Sequence, residues 1–205
     1  MIELVNITPD AERAMAYMAR VSSSNQDNPD IANLLKYCLD HGHWSVFEQA
    51  HATFEIITSR MISAQILRHR SFTFQEFSQR YAEAQSYISY TARRQDTKNR
   101  QNSIDDLPDE VKNEWLMRQQ NNWQNAMRDY SWALSQGIAK ECARAVLPMQ
   151  TATRLYMTGS IRSWIHYFQV RCAKGTQQEH RALALDMRRE LAKHLPIIAE
   201  ALEWL

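Results

Sequence analysis

The chain has 205 residues, a hydrophobic content of 44% and a formal net charge of +1. That length allows one domain with a substantial core, and the near-neutral charge argues against a nucleic acid polymer as the main partner, because such proteins carry a marked basic excess. Of the 24 basic residues, 18 are arginines. Their planar guanidinium groups grip carboxylates and phosphates, so a small anionic ligand is one explanation of this bias, and genome composition is another.

Cysteine and glycine usage narrows the class of protein further. Three scattered cysteines without a CxxC pair, no signal peptide and no apolar run of membrane length predict a reduced protein of the cytoplasm that is not bound to a membrane. The four glycines spell neither GxGxxG nor GxxxxGKS/T. A bound nucleotide would therefore be held by side chains and helix ends rather than by a glycine loop.

The first 58 residues predict two strands and two helices. The first strand is Ile2 to Ile7, and Pro9 lies just inside the start of the helix that follows. Asp30 is in position to cap the second helix, which carries apolar residues at helical spacing. Residues 41–49 predict a connecting loop, and the alternating, β-branched run at 51–58 predicts a strand.

Residues 59–70 predict a helix that Ser59 caps. On this helix Gln65, Arg68 and His69 follow one another at i, i+3 and i+4, so they are expected to share one face. A neighbouring apolar stripe is available for burial.

The remainder of the chain shows no repeat, no low-complexity linker and no domain boundary. It predicts a polar surface excursion at 84–110, an amphipathic helix at 111–134 that stops at Gly137, a helix at 138–147, a strand at 153–159, and helices at 160–171 and 177–195. This order of strands and helices predicts a single α+β domain over residues 1–205.

The stretch RHRSFTFQEFSQRY at residues 68–81 concentrates cations among phenylalanines. Adjacent cations repel one another, so each must face solvent, an acid or an anionic ligand. One interpretation is a basic helix end that complements the helix dipole. The other is a site for a phosphorylated molecule, in which Ser78 and the backbone near Gln79 add neutral donors and the aromatic rings add walls.

Other chemistries find little support in the sequence. The histidines at positions 41, 43, 51 and 69 include no chelating pair with an acid at helical spacing, so we expect no metal site. No cysteine has a recognisable nucleophile setting, and no GxSxG motif is present. The residues alone therefore indicate an anion site of nucleotide size.

Four motifs, in order, give a closer identification. Arg68-His69-Arg70 followed by Ser78 fits RHR-x7-S, and Gln75-Glu76 and Arg80-Tyr81 extend that match. The segments HGHWSVFEQ, GIAKECARAVLPMQTATRLYMTG and RCAKGTQQEHR flank it at matching positions. Over roughly residues 20–195 the chain resembles the flavin-dependent thymidylate synthases. This resemblance implies their fold, a small, mostly antiparallel sheet packed by long helices.

The resemblance also implies an activity and its participants. The family methylates dUMP to dTMP with methylenetetrahydrofolate as carbon donor, and NADPH reduces a bound FAD that supplies the hydride. No cysteine nucleophile is used, so the pyrimidine must be activated by polarisation, and by the match Arg181 is the catalytic cation. A homotetramer with active sites between subunits is further implied.

Individual binding residues follow from the same match. The resemblance implies that dUMP contacts Gln65, Arg68, Glu76, Ser78, Gln79, Arg80, Arg154 and Arg181. It implies that FAD contacts Ser22, His51, Arg68, His69, Arg70, Glu76, Gln169 and Arg171. The chain departs from the family pattern at Gln49, Gln169 and Gly175, where relatives often carry histidine, asparagine and histidine.

Two other functions are compatible with parts of this pattern. The departures near the flavin leave open a protein that binds the nucleotide but has lost turnover. The basic and aromatic stretch at 68–81 leaves open a small module that binds RNA or single-stranded nucleic acid, although the net charge argues against it.

Overall fold

A computed structural model describes residues 1–204 of the chain. These residues gather into two compact units, each made of segments that are separated in sequence. Unit 1 comprises Met1–Ile56, His69–Phe74 and the chain from Tyr156 onward, and unit 2 comprises Ile57–Arg68 and Gln75–Leu155. The single domain expected from the sequence stays a prediction.

The fold is α+β, as predicted. Short 3-10 helices at Trp44–Glu48 and Arg144–Val146 accompany the main elements. In chain order these are β1 (Ile2–Ile7), α1 (Ala11–Ala19), α2 (Ile31–Asp40), β2 (His51–Ser59), α3 (Arg60–Ile66), β3 (Thr73–Glu76), β4 (Arg94–Gln95), β5 (Ser103–Ile104), α4 (Asp109–Ser135), α5 (Lys140–Ala143), β6 (Ala152–Ser160), α6 (Ile161–Arg171), α7 (Gln178–Ala192) and α8 (Pro196–Ala201).

The strands form two sheets. The larger has the order β1-β2-β6-β3, and the smaller pairs β4 with β5. Strands β1 and β2 are antiparallel, with a register shift between Leu4 and Asn6. The β4–β5 pair is also antiparallel. The four-stranded sheet agrees with the small sheet that the sequence resemblance implied.

Side-chain caps explain where three helices begin. The Asp30 carboxylate accepts a hydrogen bond from the backbone N–H of Asn33, and Ser59 and Ser160 do the same for residues three positions on. Such caps satisfy amide groups that have no partner within the helix. The predicted caps Asp30 and Ser59 are therefore confirmed.

Unit 1 has an aromatic core. Trp164 on α6 has an aromatic contact with Phe54 of β2, with ring centroids 5.0 Å apart, and another with Phe72 at 4.7 Å. Phe72 also lies against the backbone of Gly159, where an added Cβ would be 2.5 Å from the ring. Only glycine allows this approach, so Gly159 serves packing in β6.

Unit 2 is organised along α4, which the amphipathic pattern predicted. Its buried Tyr130 packs with Ala133 and Ala143. The buried side chain of Gln119 accepts from the Tyr90 N–H at 2.9 Å and donates to the Tyr90 carbonyl at 2.7 Å. This pair of bonds fixes part of the 84–110 segment, which contains the β4–β5 hairpin and is more ordered than a simple surface excursion.

Several sequence expectations about the elements are wrong in detail. Helix α3 ends at Ile66, so Arg68 and His69 lie beyond it and do not share a helical face with Gln65. The chain must leave the helix axis there to enter β3, a strand that the sequence reading missed. Pro9 precedes α1 instead of lying inside it, because Asp10 is the N-cap.

The remaining differences concern helix ends and loops. The helix expected at 177–195 stops at Ala192, and Pro196 begins α8, since proline cannot continue a helix but suits its first turn. The loop expected at 41–49 contains a 3-10 helix. The single helix expected at 138–147 is α5 followed by a second 3-10 helix. Within residues 1–204, no helix is both long and apolar enough to cross a membrane.

Candidate functional site

In unit 2 the carboxylate of Glu76, at the end of β3, is the most heavily bonded acid of the predicted site. Its Oε1 atom accepts hydrogen bonds from the hydroxyls of Ser63 at 2.6 Å and Thr153 at 2.9 Å. Arg60 adds an ion pair to the same oxygen at 2.8 Å. Because all three bonds converge on Oε1, they fix the carboxylate while Oε2 takes none of them.

Other predicted residues of unit 2 surround the same strand ends. Gln65 is half-buried on α3 and Gln79 is buried after β3, with Ser78 half-buried beside it. The Phe77 N–H donates to the carbonyl of Arg154 at 2.8 Å. These contacts join the segment after β3 to β6, so several predicted residues meet within this unit.

Arg154 contributes an exposed cation to a surface cavity of unit 2. The cavity has a volume of about 310 Å³ and is lined in part by Phe77, Thr153 and Arg154. Arg154 and Arg68 are both exposed, and neither side chain forms an ion pair or hydrogen bond with another residue of 1–204. Such unpaired guanidinium groups are available to an anionic ligand.

Arg80 differs from these two arginines because it already has an acidic partner. Its Nε and Nη2 atoms both lie 3.0 Å from Oε2 of Glu141. Both side chains are more than half exposed, at 58% and 52%. An exposed pair of this kind exchanges easily, so Arg80 can release the carboxylate to take a phosphate.

In unit 1, His69 accepts a hydrogen bond from Arg171. The Arg171 Nε–H lies 2.8 Å from His69 Nε2, at the C-terminal end of α6. Burial lowers the pKa of His69 to about 4, and the positive charges of Arg171 and His166 add to the shift. His69 is therefore neutral near pH 7, with its remaining proton on Nδ1, and Arg171 keeps its full charge.

A second uncharged pair lies in the core of unit 1. The Tyr167 hydroxyl and His180 Nε2 are 3.0 Å apart, and both residues are fully buried. Burial lowers the pKa of His180 to about 3 and raises the pKa of Tyr167 well above its ordinary value. Both groups are thus neutral at working pH, and the histidine tautomer sets whether the hydroxyl donates to the ring nitrogen or accepts from it.

Arg181 follows His180 in the first turns of α7. Its Nε–H donates to the carbonyl of Cys172, the residue that caps α6, at 2.9 Å. The bond occupies one edge of the guanidinium and uses a neutral acceptor, so the positive charge is not cancelled. Arg181 is therefore an oriented cation with its two terminal nitrogens left for other partners.

Gln169 lines an open groove of unit 1 with a volume of about 520 Å³. Trp44 and Ile165 give the groove apolar walls, and an ion pair between Arg162 and Glu48 lies in it. The chain after Arg70 reaches this groove, because the Ser71 carbonyl accepts from the Ser163 hydroxyl at 3.2 Å. Arg70 itself is exposed and has no ion pair within residues 1–204.

Two predicted residues of unit 1 are not brought to His69. Ser22 is exposed in the segment between α1 and α2, and His51 is exposed at the start of β2. The His51 backbone bonds to Thr8 instead, as donor to its hydroxyl and acceptor from its amide. No contact among residues 1–204 links either side chain to the His69–Arg171 pair.

Sequence reasoning missed the residues that hold the predicted ones in place. Arg60 and Ser63 carried a usable signal, since they lie at i and i+3 on α3 and so share a face. His180 precedes Arg181, but its partner Tyr167 is thirteen positions away. Only the fold reveals that pairing.

Metal and thiol chemistry find no site in the described part of the chain. No group of three or more histidine, cysteine or acidic side chains within residues 1–204 is arranged to hold a metal ion. Burial raises the pKa of the Cys38 thiol and of the Cys172 thiol, in the second case against the positive charges of Arg188 and Arg181. These thiols are poor nucleophiles near pH 7.

Comparisons with known proteins agree with the motif order. The family model described as thymidylate synthase complementing protein, Thy1, matches residues 3–197. A flavin-dependent thymidylate synthase of a Synechocystis species is 56% identical over 193 residues, which cover 94% of this chain and 90% of that protein. A probable flavin-dependent thymidylate synthase of Paramecium bursaria Chlorella virus 1 is 51% identical over a match that covers 95% of this chain and 91% of the viral protein.

A solved structure resembles the whole fold. The UMP/dUMP methylase PolB of Streptomyces cacaoi, bound with 5-Br dUMP, has a TM-score of 0.88 and 25% sequence identity. The match covers 98% of this chain and 93% of PolB. The same methylase bound with 5-Br UMP also has a TM-score of 0.88, with 26% identity. That match covers 98% of this chain and 92% of the other.

Proposed function

This chain belongs to the Thy1 family of thymidylate synthase complementing proteins, and from that premise we propose how its residues carry out the reaction of a flavin-dependent thymidylate synthase. The enzyme methylates dUMP to dTMP with methylenetetrahydrofolate as carbon donor. Its cofactor is FAD, which NADPH reduces. The observation that carries this conclusion is the 56% identity over 94% of the chain.

Arg181 is our candidate for the catalytic cation. Its Nε–H is occupied by the Cys172 carbonyl, so the guanidinium orientation is set before substrate arrives. The two terminal nitrogens then meet the edge of the uracil ring and stabilise negative charge that develops on its oxygen and nitrogen atoms. A preorganised donor of this kind lowers the barrier most in a site from which water is excluded.

The phosphate and sugar of dUMP need several cations and donors. We assign these contacts to Gln65, Arg68, Glu76, Ser78, Gln79, Arg80 and Arg154. The unpaired guanidiniums of Arg68 and Arg154 support an anion site. Glu76 is the only acid in the set, and its bonded Oε1 leaves Oε2 as an acceptor for a ligand N–H or O–H.

The residues assigned to FAD suit an anionic dinucleotide. They are Ser22, His51, Arg68, His69, Arg70, Glu76, Gln169 and Arg171. Arg68 and Arg70 have no ion pair within residues 1–204, and Arg171 bonds to a neutral imidazole, so three positive charges are available to a pyrophosphate. When bound, FAD supplies the hydride that completes the methyl group.

The cysteines support activation of the pyrimidine without a thiolate. Burial raises the pKa of Cys38 and of Cys172, which keeps both protonated near neutral pH. Cys142 is exposed and stands outside the assigned residues. Polarisation by Arg181 therefore takes the place of a covalent bond to the enzyme.

We further propose a homotetramer with active sites between subunits. Helix α4 supports this assembly because it exposes Val111 (47%) and Trp115 (43%), which share one helix face at i, i+4. Exposed apolar side chains that adjoin one another usually mark interaction surfaces. The other proposed partners are NADPH and methylenetetrahydrofolate, and the proposed location is the cytoplasm.

The test is dTMP formation from dUMP, methylenetetrahydrofolate and NADPH, with and without FAD. We expect FAD-dependent product, and Arg181→Ala should lower kcat by about a thousandfold because it removes the oriented cation. Arg189→Ala is the control, since that exposed arginine of α7 pairs, within residues 1–204, only with Asp186 one turn away.

Two other outcomes would redirect the assignment. Binding of dUMP without NADPH oxidation would indicate a nucleotide-binding protein that has lost turnover. Salt-dependent RNA binding without FAD uptake would indicate a nucleic-acid-binding module.

A further inference from the structure

Two tethers connect the start of helix α7 to helix α6 in unit 1. One is the bond from Arg181 Nε to the Cys172 carbonyl, at 2.9 Å. The other is the buried hydrogen bond between Tyr167 and His180, at 3.0 Å. Because His180 immediately precedes Arg181, a bond that fixes the histidine also fixes the helical turn from which the arginine projects.

We propose that Tyr167 and His180 are positioning residues for Arg181, which set the place of the catalytic cation without touching the substrate. This inference rests on the role proposed for Arg181. Packing of the aromatic core does not require this polar pair, because a phenylalanine at position 167 would keep the ring contacts with Trp164 and Phe168. The inference therefore gives the hydrogen bond a function of its own.

The environment of the pair makes it a suitable fixed support. Both side chains are fully buried and neutral near pH 7, so the bond changes with neither solvent nor moderate pH shifts. A buried hydrogen bond holds its partners firmly, because breaking it leaves polar atoms without water. The single Arg181–Cys172 bond, to a half-buried residue, would be a looser support alone.

Small displacements at a reacting centre have large kinetic effects. A shift of about 1 Å costs as much as a hundredfold in rate when it misplaces a group that acts only in the transition state. The loss of a positioning bond should therefore lower kcat and leave ground-state binding of dUMP and FAD nearly unchanged.

The experiment compares three variants of this pair. Tyr167→Phe removes only the hydroxyl, and His180→Leu removes its hydrogen-bonding partner. In both we expect kcat to fall about tenfold, with KM for dUMP and affinity for FAD changed less than about twofold. His180→Gln keeps an amide that can donate to the tyrosine hydroxyl or accept from it, so it should retain most of the wild-type kcat.

Tyr130→Phe in unit 2 is a matched control. Tyr130 is also buried, and its hydroxyl lies by the backbone of Ala84, away from the residues assigned to the ligands. The substitution therefore removes the same atom from a buried tyrosine that does not support α7, and kcat should stay at the wild-type value.

A second readout does not depend on turnover. Hydrogen exchange of the amides in the first turns of α7 should be faster in Tyr167→Phe and His180→Leu than in wild type, and unchanged in His180→Gln and Tyr130→Phe. Unchanged exchange at α7, an unchanged kcat, or an equal loss in Tyr130→Phe would each overturn the proposal. A wild-type protein that makes no dTMP would instead refute the proposed function, and the exchange data would still decide whether the pair orders this turn.

Discussion

Two bonded arginines of unit 1 differ from two bonded arginines of unit 2 in the acceptors that they contact. In unit 1, Arg171 and Arg181 donate to neutral acceptors, an imidazole nitrogen and a backbone carbonyl. In unit 2, Arg60 and Arg80 pair with the carboxylates of Glu76 and Glu141. A guanidinium on a neutral acceptor is oriented but keeps its net charge, whereas one on a carboxylate is largely neutralised.

This difference indicates a division of labour. Unit 1 presents fixed positive charge, which suits stabilisation of charge on a reacting pyrimidine and attraction of an anionic cofactor. Unit 2 uses one arginine to hold an acid in place and another in an exchangeable surface pair. The following predictions test whether the neutral hydrogen bonds of unit 1 and the ion pairs of unit 2 differ in their effects on stability and on kinetics.

The largest expected effect is acid destabilisation of unit 1. His69 and His180 have folded-state pKa values of about 4 and about 3, below the ordinary 6.5, so the unfolded chain binds protons more strongly. Their stabilising contribution is complete above about pH 6.5 and is lost as the pH falls toward those folded values. The loss is about 1.4 kcal/mol per pH unit for His180, and less for the partly exposed His69.

Urea unfolding at pH 7.5 and pH 5.0 measures this effect. His180→Gln should reduce the difference in unfolding free energy between the two pH values by about 2 kcal/mol. His43→Gln, a substitution of an exposed histidine without a carboxylate partner within residues 1–204, is the control and should leave the difference unchanged. An equal pH dependence in wild type and His180→Gln would contradict the buried, neutral state of His180.

The second-largest change is expected when the negative charge of Glu76 is removed. Glu76→Gln should lower the free energy of unfolding by about 2 kcal/mol, because hydrogen bonds to a charged acceptor become neutral ones and Arg60 loses its partner. It should also raise KM for dUMP about tenfold if Oε2 contacts the substrate. Glu114→Gln, in the same unit but in an exposed ion pair with Arg118 on α4, should change neither quantity.

Removal of one neutral donor to Glu76 should have a smaller effect. Thr153→Val and Ser63→Ala each delete one hydroxyl, and each should cost about 1 kcal/mol in unfolding free energy, since two donors to Oε1 remain. The double variant should lose more than the sum, because only Arg60 is then left to fix the carboxylate. Strict additivity would show that the donors act independently.

The sequence predicted the parts of this arrangement that depend on local pattern. Strand β1, the caps Asp30 and Ser59 and the long helix α4 follow from periodicity and capping chemistry. The end of α3 at Ile66 does not, because the helical pattern continues through Arg68 and the turn into β3 is imposed by strand pairing. Tertiary structure thus determines that the Arg68-His69-Arg70 motif lies beyond the end of α3.

The site residues divide in the same way. Motif resemblance selected Glu76, His69 and Arg181, because these residues fall on positions of the family's motifs. It could not select Tyr167 or Thr153, which act through contacts between residues far apart in sequence, 77 positions in the case of Thr153 and Glu76. A threonine or tyrosine has many structural uses, so its type alone carries no signal for such a role.

The smallest expected change in stability concerns the exposed pair of Arg80 and Glu141. Glu141→Gln should alter the free energy of unfolding by less than about 0.5 kcal/mol, because solvent already screens both groups. The same change frees Arg80 from a competing carboxylate, so KM for dUMP should fall about twofold if Arg80 binds the phosphate. Urea unfolding and steady-state kinetics measure the two quantities on one preparation. A stability loss above about 1 kcal/mol would mean that this exposed ion pair stabilises unit 2. An unchanged KM would instead exclude Arg80 from the phosphate site.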